Sequence, residues 1–103
     1  MNRIVTVNEI KNKLKQGQPT IGSWMQIPST SVAEIMGKAG YDWITLDLEH
    51  GRFSQESLPD LFRAIELGGS LPFARLAQAQ MKHIKEALDA GAKGLTFPMV
   101  ESA

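Results

Sequence analysis

Two ten-residue stretches, "KAGYDWITLD" (38–47) and "DAGAKGLTFP" (89–98), align without gaps and start 51 residues apart. Each joins the end of a helical pattern, an Ala-Gly stop and a β-branched apolar run. A strand that regularly follows a helix pairs with its neighbour in parallel, because parallel strands need a crossover. One more strand pattern, "LPFARL", falls between the two copies, so each strand–helix unit takes about 25 residues. A (β/α)₈ barrel of roughly 200–250 residues averages the same spacing. A doubly wound open sheet has similar spacing, and periodicity alone does not separate the two.

The rest of the chain fits the same alternation. A first helix is expected over Asn8 to Gln16, with apolar Val7, Ile10 and Leu14, a capping box from Thr6 and Glu9, and a stop at Gly17. "PTIGSWMQI" reads as a strand and "STSVAEIMGKAG" as a helix, its box formed by Ser31 and Glu34 and its end at Gly40. "YDWITLDL" is the second strand. Ser57 is the expected cap of the next helix, Pro59 suits its first turn, and Leu58, Leu61, Phe62 and Ile65 mark one face. Gly68-Gly69 closes it. "LPFARL" is the third strand, "QMKHIKEALDAG" a helix with Ile84, Ala87 and Leu88 inward, and "AKGLTFPMV" the fourth strand.

Composition narrows the class. At 103 residues, 43% hydrophobic and 21% charged, the chain is one globular domain at most, with a modest core. Eleven basic and eleven acidic residues cancel, with no like-charge block, so neither nucleic acid nor a membrane surface is indicated as a partner. The absence of cysteine removes disulfides, thiolate metal sites and cysteine nucleophiles. "MNRIVTVNEIKNKLKQG" has no apolar signal-peptide core, and the apolar runs are too short to span a bilayer, so a cytoplasmic location is expected.

In parallel βα architectures, sites are built at the carboxyl ends of the strands. Here those ends carry Trp24, Met25 and Gln26; then Asp47, Glu49, His50 and Gly51; then Arg75; then Phe97 and Pro98. His50 is either a surface loop histidine or a general base, and its place beside a glycine at a strand end favours the base. Asp47, Glu49 and His50 sit very close for three metal ligands, so D-x-E-H is a weak metal signal. Asp47 and Glu49 read instead as supports that orient neighbours or bind loop amides. Arg75 interrupts an apolar strand. Its cation calls either for a structural salt bridge to Asp47 or for a substrate carboxylate or oxyanion. Trp24 reads as core, and His83 as a surface residue without a role. Asp89, near a helix C-terminus, opposes the helix dipole and reads as a solvated acid. "AGAKG" lacks the spacing of a phosphate loop and precedes a strand, so no nucleotide cofactor is indicated.

Three pieces, "IGSWMQIPSTSVAEIMGKAGYDWITLDLEHG", "PFARL" and "IKEALDAGAKGLTFPMVESA", resemble the HpcH/HpaI family of class II (metal-dependent) pyruvate aldolases. That group includes the 2,4-dihydroxyhept-2-ene-1,7-dioate and 5-keto-4-deoxy-glucarate aldolases. The resemblance runs from about residue 18 onward. It implies that residues 1–103 are the N-terminal half of a phosphoenolpyruvate/pyruvate-type (β/α)₈ TIM barrel, with about four βα units present. It also implies a trimer or hexamer that reversibly cleaves a 2-keto-4-hydroxy acid to pyruvate and an aldehyde.

By the same resemblance His50 is the general base, Arg75 stabilises the pyruvate enolate and aldol oxygen, and Trp24 lies in the wall of the substrate pocket. Asp89 raises the basicity of the histidine across a subunit interface. A divalent ion (Mg, Mn or Co) is implied as cofactor, but its Glu and Asp ligands and a neighbouring Gln are expected beyond Ala103, leaving no metal ligand in this chain. "FAR", where many members have a β-branched residue before the arginine, is a smaller departure. The alternative is a truncated, non-catalytic half-barrel that acts only through association with other chains.

Overall fold

The structure is a computed structural model and describes residues 5–76 and 80–96. The elements run α1 (Val7–Lys15), β1 (Gly22–Met25), α2 (Thr30–Lys38), β2 (Trp43–Asp47), α3 (Leu58–Gly68), β3 (Leu71–Arg75), α4 (Met81–Ala90) and β4 (Gly94–Thr96). This is the alternation expected from the sequence. The continuation of β4 toward Phe97 and Pro98 lies outside the described residues.

All neighbouring strands are parallel and the order is β1-β2-β3-β4. That order separates the two architectures that spacing left open. A doubly wound sheet reverses its strand order at a switch point and so places helices on both faces. Here each crossover steps to the adjacent strand in one direction. Right-handed connections therefore put α2, α3 and α4 on the same side, as in a barrel wall.

Side chains alternate across the sheet accordingly. Met25, Ile44, Leu46, Ala74 and Leu76 point to the helices and pack with Ala33, Leu61, Phe62, Ile65 and Ala87. On the other face, Trp43, Leu71 and Phe73 meet Val5 and Ile10, so α1 covers the amino-terminal end of that face. Trp43 and Phe73 stack at 5.9 Å and 7°. Asp42 ties this end together: its carboxylate accepts the Ile21 N–H at 2.9 Å and pairs with Lys13 at 3.0 Å.

α2 and α3 approach each other backbone to backbone. A Cβ at Gly37 would lie 2.6 Å from the Ile65 carbonyl oxygen, and one at Gly68 would lie 2.5 Å from the Gly37 carbonyl carbon. α3 then ends on Gly69 at φ +112°, a left-handed cap that only glycine adopts freely.

Several local expectations are corrected. Ser29, not Ser31, caps α2: it is extended and accepts the Val32 N–H at 3.2 Å, while Ser31 lies inside the helix. Ser57 precedes α3 but accepts no capping bond; its hydroxyl donates to the Ser54 carbonyl in a 3₁₀ turn, Gln55–Ser57. Leu88 is 49% exposed and Leu14 63% exposed. The buried stripe of α4 runs through Ile84 and Ala87, and a residue one position further has rotated out of it. Among the described residues, no helix is long and apolar enough to cross a membrane.

Candidate active site

β2 is buried along nearly its whole length and delivers Asp47, 2% exposed, to the carboxyl end of the sheet. The chain then turns tightly, with the Gly51 N–H donating to the Asp47 carbonyl at 2.8 Å. A Cβ on Gly51 would lie 2.5 Å from that carbonyl and 2.4 Å from the Phe53 ring, so glycine is required.

The Asp47 carboxylate organises the turn. Oδ1 accepts the backbone N–H groups of Glu49 (3.1 Å) and His50 (3.0 Å), a side-chain-to-backbone loop typical of aspartate. Oδ2 lies 3.0 Å from His50 Nδ1 and accepts from Gln26 Nε2 at 3.0 Å. Burial opposes the charge on Asp47. The hydrogen bonds from the His50 amide and ring and from Gln26, with the charge of His50, outweigh it and hold the carboxyl below its ordinary value of 3.8. An ionised carboxylate only accepts, so Nδ1 of neutral His50 carries the proton and Nε2 keeps its lone pair. The His50 side chain is 57% exposed, and its Nε2 lies 3.9 Å from Glu49 Oε1.

Arg75 ends β3, in register with Asp47. Its Nη1 is 4.0 Å from Asp47 Oδ2, but Nη2 is 3.1 Å from Glu49 Oε1, so Glu49 is its closer partner. The ion pair expected with Asp47 is thus present at long range, and Glu49 is added to it, because the Asp47 oxygens are already occupied by four donors. Trp24 of β1 is 46% exposed, not core, and the Arg75 guanidinium sits 5.5 Å from its ring centroid. Trp24, Asp47, Glu49, His50 and Arg75 are thus brought together. Gln26, which carried no expected role, joins them through Asp47; its signal was its position just past the carboxyl end of β1.

Asp89 is not part of this cluster. It is exposed near the end of α4, which hands the chain to the amino-terminal end of β4, opposite the end that carries His50. A cleft of about 360 Å³ lies behind the β2 turn, between Leu48, Phe53, Leu76, His83 and Ala87. None of Trp24, His50 and Arg75 lines it. The polar cluster faces the open side of the sheet.

Asp47, Glu49 and His50 each offer a ligand-type atom within 4.8 Å of one another. These atoms do not fit a resident divalent ion. Asp47 Oδ2 and His50 Nδ1 are spent on each other, and Glu49 already faces the fixed cation of Arg75. A second cation there would be repelled by the guanidinium.

A wall of parallel βα units, with an imidazole, two carboxylates, a guanidinium and an indole gathered at its carboxyl end, is the place where barrel proteins build their sites. The profile of one family, described as HpcH/HpaI aldolase/citrate lyase, matches residues 20–103, and the chain belongs to that family. It is 40% identical over 96 residues to a hydroxypyruvate/pyruvate aldolase of Agrobacterium fabrum, covering 93% of this chain and 36% of that one. It is 35% identical over 103 residues to a 2-keto-3-deoxy-L-rhamnonate aldolase of Escherichia coli, covering 100% of this chain and 38% of that one. A solved HpcH/HpaI aldolase/citrate lyase family protein from Burkholderia cenocepacia superposes with a TM-score of 0.82 at 34% identity, over 93% of this chain and 38% of that one. The solved citrate synthase SbnG does so with a TM-score of 0.79 at 30% identity, over 90% and 38%. The chain therefore spans well under half the length of these relatives.

Proposed function

We propose that residues 1–103 form the N-terminal portion of a barrel lyase that reversibly cleaves a 2-keto-4-hydroxy acid to pyruvate and an aldehyde. The observation that carries this reading is the joint placement of His50 and Arg75, each held by a carboxylate on the β2 turn. In cleavage, His50 Nε2 takes the proton of the C4 hydroxyl, the C4–O bond becomes a carbonyl, and the C3–C4 bond breaks. Its electron pair forms the C2–C3 double bond, leaving negative charge on the C2 oxygen, which Arg75 meets. His50 Nε2 then delivers that proton to C3, which completes pyruvate and restores the base. Trp24 forms the wall beside Arg75.

The divalent ion implied by the family resemblance belongs to this proposal, held by side chains other than Asp47, Glu49 and His50. So does a cytoplasmic homo-oligomer, a trimer or hexamer. The exposed position of Asp89, remote from His50 in its own chain, supports a role for it toward the His50 of a second copy. The test is pyruvate release from a 2-keto-4-hydroxy acid by the full gene product with magnesium. Release that depends on His50 is expected, and its absence rejects the proposal.

A second reading is a non-catalytic half-barrel that acts by association. The exposure of Trp24 at the carboxyl end of the sheet, on the face that α1 covers only at its amino-terminal end, favours it. Light scattering on the 103-residue chain decides: a well-behaved monomer rejects this reading.

A further inference from the structure

Glu49 has a geometry that proton transfer at His50 leaves unexplained. Its Oε1 is shielded from solvent and accepts no aligned hydrogen bond, yet it lies 3.1 Å from Arg75 Nη2 and 3.9 Å from His50 Nε2. A desolvated carboxylate oxygen is unfavourable unless charge or a donor meets it. The adjacent guanidinium offsets that penalty by charge. No N–H of Arg75 is aligned on this oxygen, so the ion pair holds the group without consuming its donors.

The remaining surroundings of Arg75 fix its other degrees of freedom. Trp24 lies against the guanidinium at 5.5 Å, and Asp47 stands off at 4.0 Å with its own oxygens occupied. The Arg75 side chain keeps 28% of its surface exposed, so its donors reach the open side of the sheet. A flexible arginine left without Glu49 would spread over many rotamers, and preorganised donors are what stabilise developing charge.

We propose that Glu49 is the positioning residue of Arg75: it holds the guanidinium by charge at the carboxyl end of the sheet and leaves its N–H groups for substrate oxygen. This rests on the role given to Arg75 in the proposed function. Glu49 touches neither substrate nor reacting atoms and acts through Arg75.

The experiment uses the full gene product and Glu49→Gln, which keeps size and removes charge. Two quantities are read: the order of the Arg75 Nε–Hε group by nitrogen-15 NMR, and the rate at which pyruvate with magnesium exchanges its methyl protons. The wild type is expected to show an ordered Arg75 Nε–Hε that becomes as mobile as a surface arginine in the variant. Turnover is expected to fall about tenfold or more while KM for pyruvate stays within about twofold, as for loss of a group acting in the transition state. Should Glu49→Gln not fold, Glu49→Asp, which withdraws the charge by one methylene, carries the same expectation. An Arg75 Nε–Hε equally ordered in the variant overturns the proposal, as does a mobile Arg75 with unchanged turnover. Absence of exchange in the wild type rejects the proposed function instead, and the NMR reading then decides the role of Glu49 alone.

Discussion

Asp47 grips His50 at two points, accepting its backbone N–H on one carboxylate oxygen and facing its Nδ1 with the other, both at 3.0 Å. One buried side chain therefore fixes the position and the tautomer of the imidazole together. Asp47→Asn separates the two effects. The loop amides need an acceptor at Oδ1, so the new NH₂ faces Nδ1, which must then accept. The proton moves to Nε2, where it blocks the lone pair. The variant is expected to fold and to lose about 10²-fold or more in activity, the scale of a misdirected general base. The ring nitrogen-15 shifts of His50 check the tautomer.

The same carboxylate sets an acid limit on stability. Its pKa is lower in the folded chain than the ordinary 3.8, so near and below pH 3.8 the unfolded chain binds the extra proton. The stabilisation from Asp47 is fully present above 3.8 and is lost as pH falls through the folded value. Denaturant unfolding of the wild type is expected to weaken as pH falls below about 4 more steeply than that of Asp47→Asn. Equal slopes would remove Asp47 as the source.

The contact of α2 with α3 depends on two glycines whose missing Cβ atoms would strike backbone. Backbone yields less readily than a side-chain tip, so Gly37→Ala and Gly68→Ala are each expected to destabilise by about 1–3 kcal/mol. Once the helices have moved apart for one substitution, the second costs less, and the double variant falls short of additivity. Denaturant midpoints of the three variants measure this.

The order of the elements was legible because helix stops, β-branched runs and unit spacing all agree. The strand-end residues were legible because topology delivers them to one face whatever the local detail. What was hidden depends on distances that spacing does not encode. Ser29 and Ser31 are equally good caps in sequence, and the helix takes Ser29 because it is the extended residue that reaches the Val32 amide. Arg75 is in register with Asp47, so the ion pair between them is the natural inference. That pair forms at 4.0 Å, but four donors already occupy Asp47, and the β2 turn brings Glu49 nearer, to 3.1 Å. Trp24 reads as core by residue type, yet among the described residues the helix on its side of the sheet, α1, covers only the amino-terminal end.

The central claim is that His50, oriented by Asp47, moves a proton in pyruvate enolate chemistry. Its most direct measurement is exchange of the methyl protons of pyruvate for deuterium by the full gene product with magnesium. The wild type is expected to exchange, and His50→Ala to slow the exchange by about 10²–10⁴-fold. No exchange by the wild type with metal supplied, or an unchanged rate in His50→Ala, contradicts the account.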